Sequence, residues 1–467
     1  MSILRGMISP HPPIIVPEVG GEEAKKVSHT AESLQVLTAV VKELAPEVVI
    51  VSTPHGTVFR DAVAVTAIPR LNGNLAQFGA GHVDFDYAND LELADEIIRT
   101  AVKNGISAVA LDHDLAGHYG ASVRLDHGIT VPLYFLKQAG VSFSLVPVSI
   151  GFLPLEELYQ FGTCIREAVD KLGRRAVFLA SGDLSHRLTP DAPAGFNPRG
   201  KEFDTALVEF LKKGDVEGII RLDDDLVEAA GECGLRPIIM MLGALDGCRL
   251  EVNVHSYEGP FGVGYMVADI RPGERGPEKS VIKKIFAQRQ EALNQVRAGE
   301  SEPVALARHT LETYLNTGKI VSPPVELSEI LKKQAGVFVS IKKYGQLRGC
   351  IGTIEPTQPN VAEEIIHNAI SAGTKDPRFD PVTTKELRDL EYSVDILYPP
   401  EAVSGMAELD PKRYGVIVRQ GYRTGLLLPN LEGIDTAEEQ VKIAKRKAGI
   451  ADNEPIEMER FEVVRYR

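Results

Sequence analysis

Leu4-Arg5-Gly6-Met7-Ile8 runs into Ser9-Pro10-His11-Pro12-Pro13, and Val48-Val49-Ile50-Val51-Ser52 runs into Thr53-Pro54-His55-Gly56. In both places a short β-type run ends in a turn that carries a histidine. Loops at the carboxyl ends of parallel strands open into the crevice where α/β proteins bind their ligands, so the two histidines point to a metal site on such an edge. Working outward, strands are expected at Ser142 to Ile150, Ala176 to Ala180, Leu250 to His255 and Gly264 to Ile270. Helices are expected near Ala31 to Leu44, Leu91 to Lys103 and Leu155 to Leu172. That alternation predicts an α/β fold, a layered sheet with helices on both faces.

A chain of 467 residues with 44% hydrophobic content exceeds one ordinary core and predicts two or three domains. Lys+Arg number 51 against 65 Asp+Glu, a net charge of −14. Nucleic acid and anionic membrane surfaces both reward a basic face, so neither is expected as a partner; small molecules or proteins are. The four cysteines, Cys164, Cys233, Cys248 and Cys350, form no C-x-x-C pair, which fits neither a disulfide scaffold nor a zinc ribbon. Pro10, Pro12, Pro13 and Pro17 interrupt any signal-peptide stretch, and no apolar run approaches membrane-spanning length. A cytoplasmic location is the expectation.

Nine of the eleven histidines precede residue 260, so the two halves should differ in chemistry. Between them, Arg271-Pro272-Gly273-Glu274-Arg275-Gly276-Pro277-Glu278 reads as a linker, too charged and breaker-rich for helix or strand. Val281, Ile282, Ile285, Phe286, Leu293 and Val296 recur near a 3.6 period and predict a bridging helix over Ser280 to Val296. The expected organisation is a first domain over 1–270, linker and helix over 271–300, and a second domain over 301–467. So short a linker permits either a product handed between domains or a docked partner.

The strand Ala176 to Ala180 leads into Ser181-Gly182-Asp183-Leu184-Ser185-His186, placing an acid and an imidazole on the same kind of loop as His11 and His55. Leu125-Asp126-His127-Gly128 precedes Val131-Pro132-Leu133, and Gly231-Glu232-Cys233-Gly234 precedes an apolar helix over Pro237 to Leu245. Two imidazoles with a carboxylate or thiolate would hold a metal and leave spare histidines for proton transfer. Two neutral nitrogens and one carboxylate leave about half of an octahedral sphere open, the arrangement of non-haem Fe(II) oxygenases. His186 and His127 are the catalytic candidates, and His118 is a substrate-binding candidate. Asp183 either orients a neighbouring ring or caps the following turn.

The ordered set S-P-H-P-P, T-P-H-G, L-D-H-G-x-x-V-P-L, S-G-D-L-S-H and G-E-C-G, across roughly residues 1 to 270, resembles the class III extradiol ring-cleaving dioxygenases of the LigB superfamily and their Memo relatives. The resemblance implies that His11 and His55 are metal ligands, that His186 is the acid/base for a catechol proton, and that His127 lines the side where substrate and O2 meet. The dioxygenases supply a glutamate as third ligand, Memo-type proteins a cysteine, and Glu232 and Cys233 stand side by side here. Glu232 is the favoured ligand and brings Fe(II) and a catechol-type substrate. Cys233 would bias the site toward zinc or copper and toward a Memo-like redox or peptide-binding role.

In the second half, Leu347-Arg348-Gly349-Cys350-Ile351-Gly352 follows an alternating strand over Val337 to Ile341 and a Lys343-Tyr344-Gly345 turn. A guanidinium two residues from a cysteine would favour the reactive thiolate; the plain alternative is a small cysteine buried at a tight crossing. The hexapeptide, with Asp376-Pro377-Arg378-Phe379 and Glu432-Gly433-Ile434-Asp435-Thr436-Ala437-Glu438-Glu439-Gln440, resembles the AMMECR family from about Val304 onward, implying an α+β domain. Carried over, Arg348, Cys350 and Asp376 are its functional candidates. The fusion resembles the A component of the AmmeMemoRadiSam system, which implies a separate radical-SAM partner, since this chain lacks clustered cysteines for an Fe–S centre.

Overall fold

In the computed structural model the described residues are 2–431 and 433–467. The chain divides into two compact units, Met1–Phe286 and Ala287–Arg467. Among the described residues no helix is long and apolar enough to cross a membrane.

The first unit contains β1 (Ile3–Ser9), β2 (Val48–Thr53), β3 (Val63–Thr66), β4 (Arg70–Leu75), β5 (Ala80–Ala88), β6 (Ala108–Leu111), β7 (Ser144–Ser149), β8 (Ala176–Ser181), β9 (Cys248–Glu258) and β10 (Tyr265–Arg275). Eight of these form one sheet in the order β6-β3-β7-β2-β8-β1-β10-β9, and β4 and β5 form a separate hairpin. From β7 to β1 the strands run parallel, and β10 is antiparallel to β1. Every residue of β2 and of β8 is buried, as expected of central strands covered on both faces. One apolar cluster gathers Ile8, Ile50 and Phe178 with helices Leu91–Lys103, Leu155–Leu172 and Leu235–Ala244; the other gathers Met7, Val49, Val51 and Leu179 with helices Ser28–Leu44 and His127–Gln138. Successive strand residues thus feed opposite layers. A Cβ on Gly162 would lie 2.0 Å from Met240 O, and one on Gly243 2.0 Å from Tyr159 O. These glycines let helix Leu235–Ala244 lie backbone-close on Leu155–Leu172, which fixes the loop preceding it.

The segment read as a linker is ordered differently. Strand β10 continues through Arg271 to Arg275, pairing Arg271 with Glu251 and Arg275 with Cys248 across a register shift that begins at Pro272. Beyond Ile270 the strand no longer pairs with β1, so Pro272 and Gly273 sit at an irregularity, where a missing N–H disrupts little. Helix Val281–Ala298 spans the expected bridging segment, but Ile282 and Ile285 belong to the first unit's core, which moves the division between units to Phe286.

The second unit is α+β. It contains β11 (Val337–Lys343), β12 (Gln346–Gly352), β13 (Leu390–Leu397), β14 (Glu401–Val403), β15 (Gly415–Gln420), β16 (Arg423–Leu427), β17 (Glu457–Phe461) and β18 (Val463–Tyr466). They form two antiparallel sheets, β12-β11-β13-β18 and β14-β17-β15-β16. Tyr344 and Gly345 both adopt positive φ (56° and 76°), the requirement of a two-residue hairpin turn joining β11 to β12. Of the block Glu432 to Gln440, Glu432 lies outside the described residues. The Thr436 side chain caps helix Ala437–Lys447 by accepting from Glu439 N at 3.2 Å.

Candidate metal centre

Strand β8 lies between β2 and β1, with Ser181 level with Ser9 and Ala180 level with Ser52. His11, His55 and Asp183 each follow two residues after the end of their strand, so this pairing sets three loops side by side on the carboxyl edge. His11 is 2% exposed. Its Nε2 lies 2.9 Å from His55 Nε2. On the ring's other side, Ser181 Oγ donates to Gly128 O and therefore accepts from His11 Nδ1–H at 2.9 Å. That fixes the tautomer and leaves a lone pair on His11 Nε2, aimed at the space shared with His55.

Cys233 arrives from the loop before helix Leu235–Ala244. Its Sγ lies 3.6 Å from His11 Nε2 and 3.6 Å from His186 Nε2, and accepts from Asp183 N at 3.3 Å. The approach depends on two glycines meeting: a Cβ on Gly182 would stand 2.2 Å from Gly234 Cα. Donor atoms of His11, His55 and Cys233 all lie within 4.8 Å of one another. Metal–nitrogen bonds of about 2.0 Å and metal–sulfur bonds of about 2.3 Å set donors roughly 3–4 Å apart around one ion, so the set fits a single cation. Burial lowers His11 and His186, and with the neighbouring His55 brings His127 down to about 4, so these rings stay neutral, as ligands or proton acceptors must be. Burial pushes the Cys233 thiol well up, an effect that a bound cation would oppose.

The structure departs from the sequence reading at the third position. Glu232 turns away from the histidines, and its carboxylate accepts from Leu235 N at 2.6 Å, capping the following helix. Burial raises it to about 7. Adjacent residues on a turn point in different directions, and here the cysteine faces the site. Asp183 also has another task than ring orientation or capping of the next turn: its Oδ1 accepts from His11 N at 2.9 Å, tying the first loop to the third. Burial raises its carboxyl to about 7.

His127 opens helix His127–Gln138 and stacks on His55, with centroids 4.2 Å apart and planes inclined 25°. Both line a cavity of about 710 Å³ together with Thr57, Asn74, Gln77, Phe78, Ser122, Arg124 and Asp126. His118 is not among its walls; it is exposed on helix His113–Tyr119, edge-on to Tyr119. Ser181, Gly182 and Arg124 were not singled out as site residues by the motifs. The first two lay inside the quoted S-G-D-L-S-H run, whereas nothing in the sequence marked Arg124.

In the second unit, the Arg348 guanidinium is directed away from the thiol, donating from Nε to Glu386 Oε1 at 2.9 Å and from Nη1 to Asp380 O at 2.8 Å. Cys350 accepts from Ser340 Oγ at 3.2 Å, and burial raises the thiol, the direction opposite to the thiolate that a neighbouring guanidinium would favour. Asp376 holds the hexapeptide from behind: it accepts from Cys350 N at 2.9 Å and from Arg378 Nη2 at 2.7 Å, and Arg378 together with these hydrogen bonds lowers it to about 2. A carboxylate depressed in the folded state contributes stability above its unfolded value, and that contribution disappears as pH falls from about 4 toward 2. Asp376→Asn is therefore expected to weaken the protein at neutral pH and to flatten its loss of stability over that acid window, as followed by denaturant unfolding at successive pH values.

A family model described as the catalytic LigB subunit of aromatic ring-opening dioxygenase matches residues 5–268. The chain belongs to the LigB family. Its LigB domain is followed by an AMMECR1 domain, matched over residues 304–467. A protein of Clostridium acetobutylicum is 43% identical over the whole of both chains. One of Thermotoga maritima is 52% identical over 172 residues, 36% of this chain and 99% of its own. A crystal structure of an uncharacterised protein from Pyrococcus horikoshii, 35% identical, covers 35% of this chain and 88% of that chain with a TM-score of 0.33.

Proposed function

We propose that the LigB domain is a metal centre of Memo-like type, holding a thiolate-accepting ion on His11, His55 and Cys233, either copper for redox work or zinc as a Lewis acid, and working on a small ligand in the adjoining cavity. The observation that carries this reading is the Cys233 thiol standing 3.6 Å from His11 Nε2 while the Glu232 carboxylate caps a helix. Soft sulfur with imidazole favours copper and zinc over the hard ions that carboxylates select. When bound, the ion would supply Lewis acidity or, as copper, an electron. The protein's own contribution is to fix the His11 tautomer through Ser181, to tie the loops through Asp183, and to keep His127 and His186 neutral beside the site.

Metal content after anaerobic loading with Cu(I), Zn(II) or Fe(II), each alone, tests the assignment. Cys233→Ser is expected to lose copper and zinc affinity by about 100-fold or more, and Glu232→Gln to stay within about threefold of the parent. The reverse pattern, with Glu232→Gln losing Fe(II) and Cys233→Ser keeping it, would overturn the cysteine ligand.

The family match favours a second reading, an Fe(II) ring-cleaving dioxygenase acting on a catechol. His127 and His186, neutral and flanking the ligand set, are suited to accept the proton of a ring hydroxyl. Oxygen uptake by Fe(II)-loaded protein with catechols, lost in His186→Ala without loss of iron, would establish that reading over the first.

A further inference from the structure

In the second unit, Val337, Val339 and Ile341 of β11 and Tyr392, Val394 and Ile396 of β13 share an apolar cluster with helix Val361–Thr374. The alternate residues of these strands point to the opposite face. There Cys350 is level with Ser340 and Ser340 with Ser393, so three half-buried polar side chains stand in a row across three strands. Next along that face come Asp395, 1% exposed, and Phe338 beside it. Phe338 packs against Leu397, Ile417, Leu426 and Phe461, where the two sheets meet. A strip that is polar yet half-buried needs an explanation, because covered sheet faces are ordinarily apolar.

Cations from three separate elements border this strip. Arg465, level with Asp395, gives Nε and Nη2 to that carboxylate at 2.7 and 2.8 Å. Arg378 gives Nε and Nη2 to Asp376 at 2.9 and 2.7 Å, and Nη2 also reaches Cys350 O at 3.2 Å. Each guanidinium is thus fixed by a carboxylate on one side, with its Nη1 donors left over. Lys447, at the end of helix Ala437–Lys447, brings Nζ to 3.5 Å from Leu426 O and has no carboxylate partner among the described residues. Burial lowers its ammonium, and the neighbouring Arg378 charge lowers it further. Asp376 and Asp395 balance the two arginines, so Lys447 leaves the strip with a surplus positive charge, and an anion would relieve the repulsion. We propose that this strip is a binding site for a small oxyanion, the phosphate or carboxylate group of a small molecule, held by Lys447, Arg378 and Arg465 over the Cys350 and Ser340 floor. The site is separate from the metal centre and does not depend on it.

The test uses the Cys350 thiol as a built-in reporter in the full chain. Alkylation at Cys350 is followed by peptide mass spectrometry with two reagents of the same shape, anionic iodoacetate and neutral iodoacetamide. Lys447→Gln is expected to lower the iodoacetate-to-iodoacetamide rate ratio by about threefold or more, and Lys447→Arg to preserve it. Millimolar inorganic phosphate or acetate, at ionic strength held constant with chloride, is expected to slow iodoacetamide at Cys350 by about twofold or more in the parent and not in Lys447→Gln. The more protective of the two anions identifies the head group as phosphate or carboxylate. A rate ratio untouched by Lys447→Gln, or protection by neither anion, would overturn the proposal. So would a Cys350 that reacts with neither reagent, since the strip would then be closed to small molecules.

Discussion

The double variant His11→Ala, His55→Ala is expected to retain no stoichiometric metal after anaerobic loading, whichever ion is offered. His11 Nε2 and His55 Nε2 face each other at 2.9 Å, and one of the pair has its tautomer set by Ser181. Removing both leaves Cys233 as the sole remaining donor of the set, and one thiol does not hold a divalent ion against water and buffer. His11 is buried, so its truncation leaves a hole as well as a missing ligand. His55 faces the exposed side, and His55→Asn alone, with near-native thermal unfolding, separates lost coordination from lost fold. Inductively coupled plasma mass spectrometry on the purified variants reads the outcome, and metal retained at parent levels by the double variant sinks the ligand assignment.

The second large effect is expected from a single methyl group. Gly182→Ala places a Cβ 2.2 Å from the Cα of Gly234, backbone against backbone, where no side chain can swing aside. The loop carrying Cys233 has to retreat, lengthening the Cys233 N to Asp183 O hydrogen bond of 3.2 Å and drawing Sγ away from His11. We expect a loss of about 1–3 kcal/mol in unfolding free energy, as for other overpacked interior sites, together with at least tenfold weaker metal binding. Gly117→Ala is the control, because a Cβ there meets nothing within 4 Å. Equal metal affinity in the two variants would show that the glycine contact does not position the cysteine.

The core strands were legible because each is an apolar run closed by Gly, Pro or a polar turn, and helices Leu91–Lys103 and Leu155–Leu172 because their apolar period is strong over more than three turns. The four residues of β3 and of β6 were too short to stand out, and the mixed polarity of the β4–β5 hairpin hid its alternation. Arg271 to Arg275 was misread as a linker since local composition carries no information about a partner strand; pairing with β9 supplies what Pro272 and Gly273 lack. Likewise, Arg348 stands two residues from Cys350 in the chain, yet Glu386, thirty-eight residues away, takes its guanidinium.

By itself the sequence determined which residue types stand where strands end, and hence that His11, His55 and Asp183 belong to loops of one α/β edge. Hydrophobic periodicity is a local property, and it suffices for that. Only the tertiary structure decided that β8 lies between β1 and β2, which brings those loops together, and that Cys233 instead of Glu232 turns toward them. Strand order is set by long-range pairing, and the direction of a side chain on a turn by close backbone packing such as that of Gly182 on Gly234. Neither is encoded in any short window of the chain.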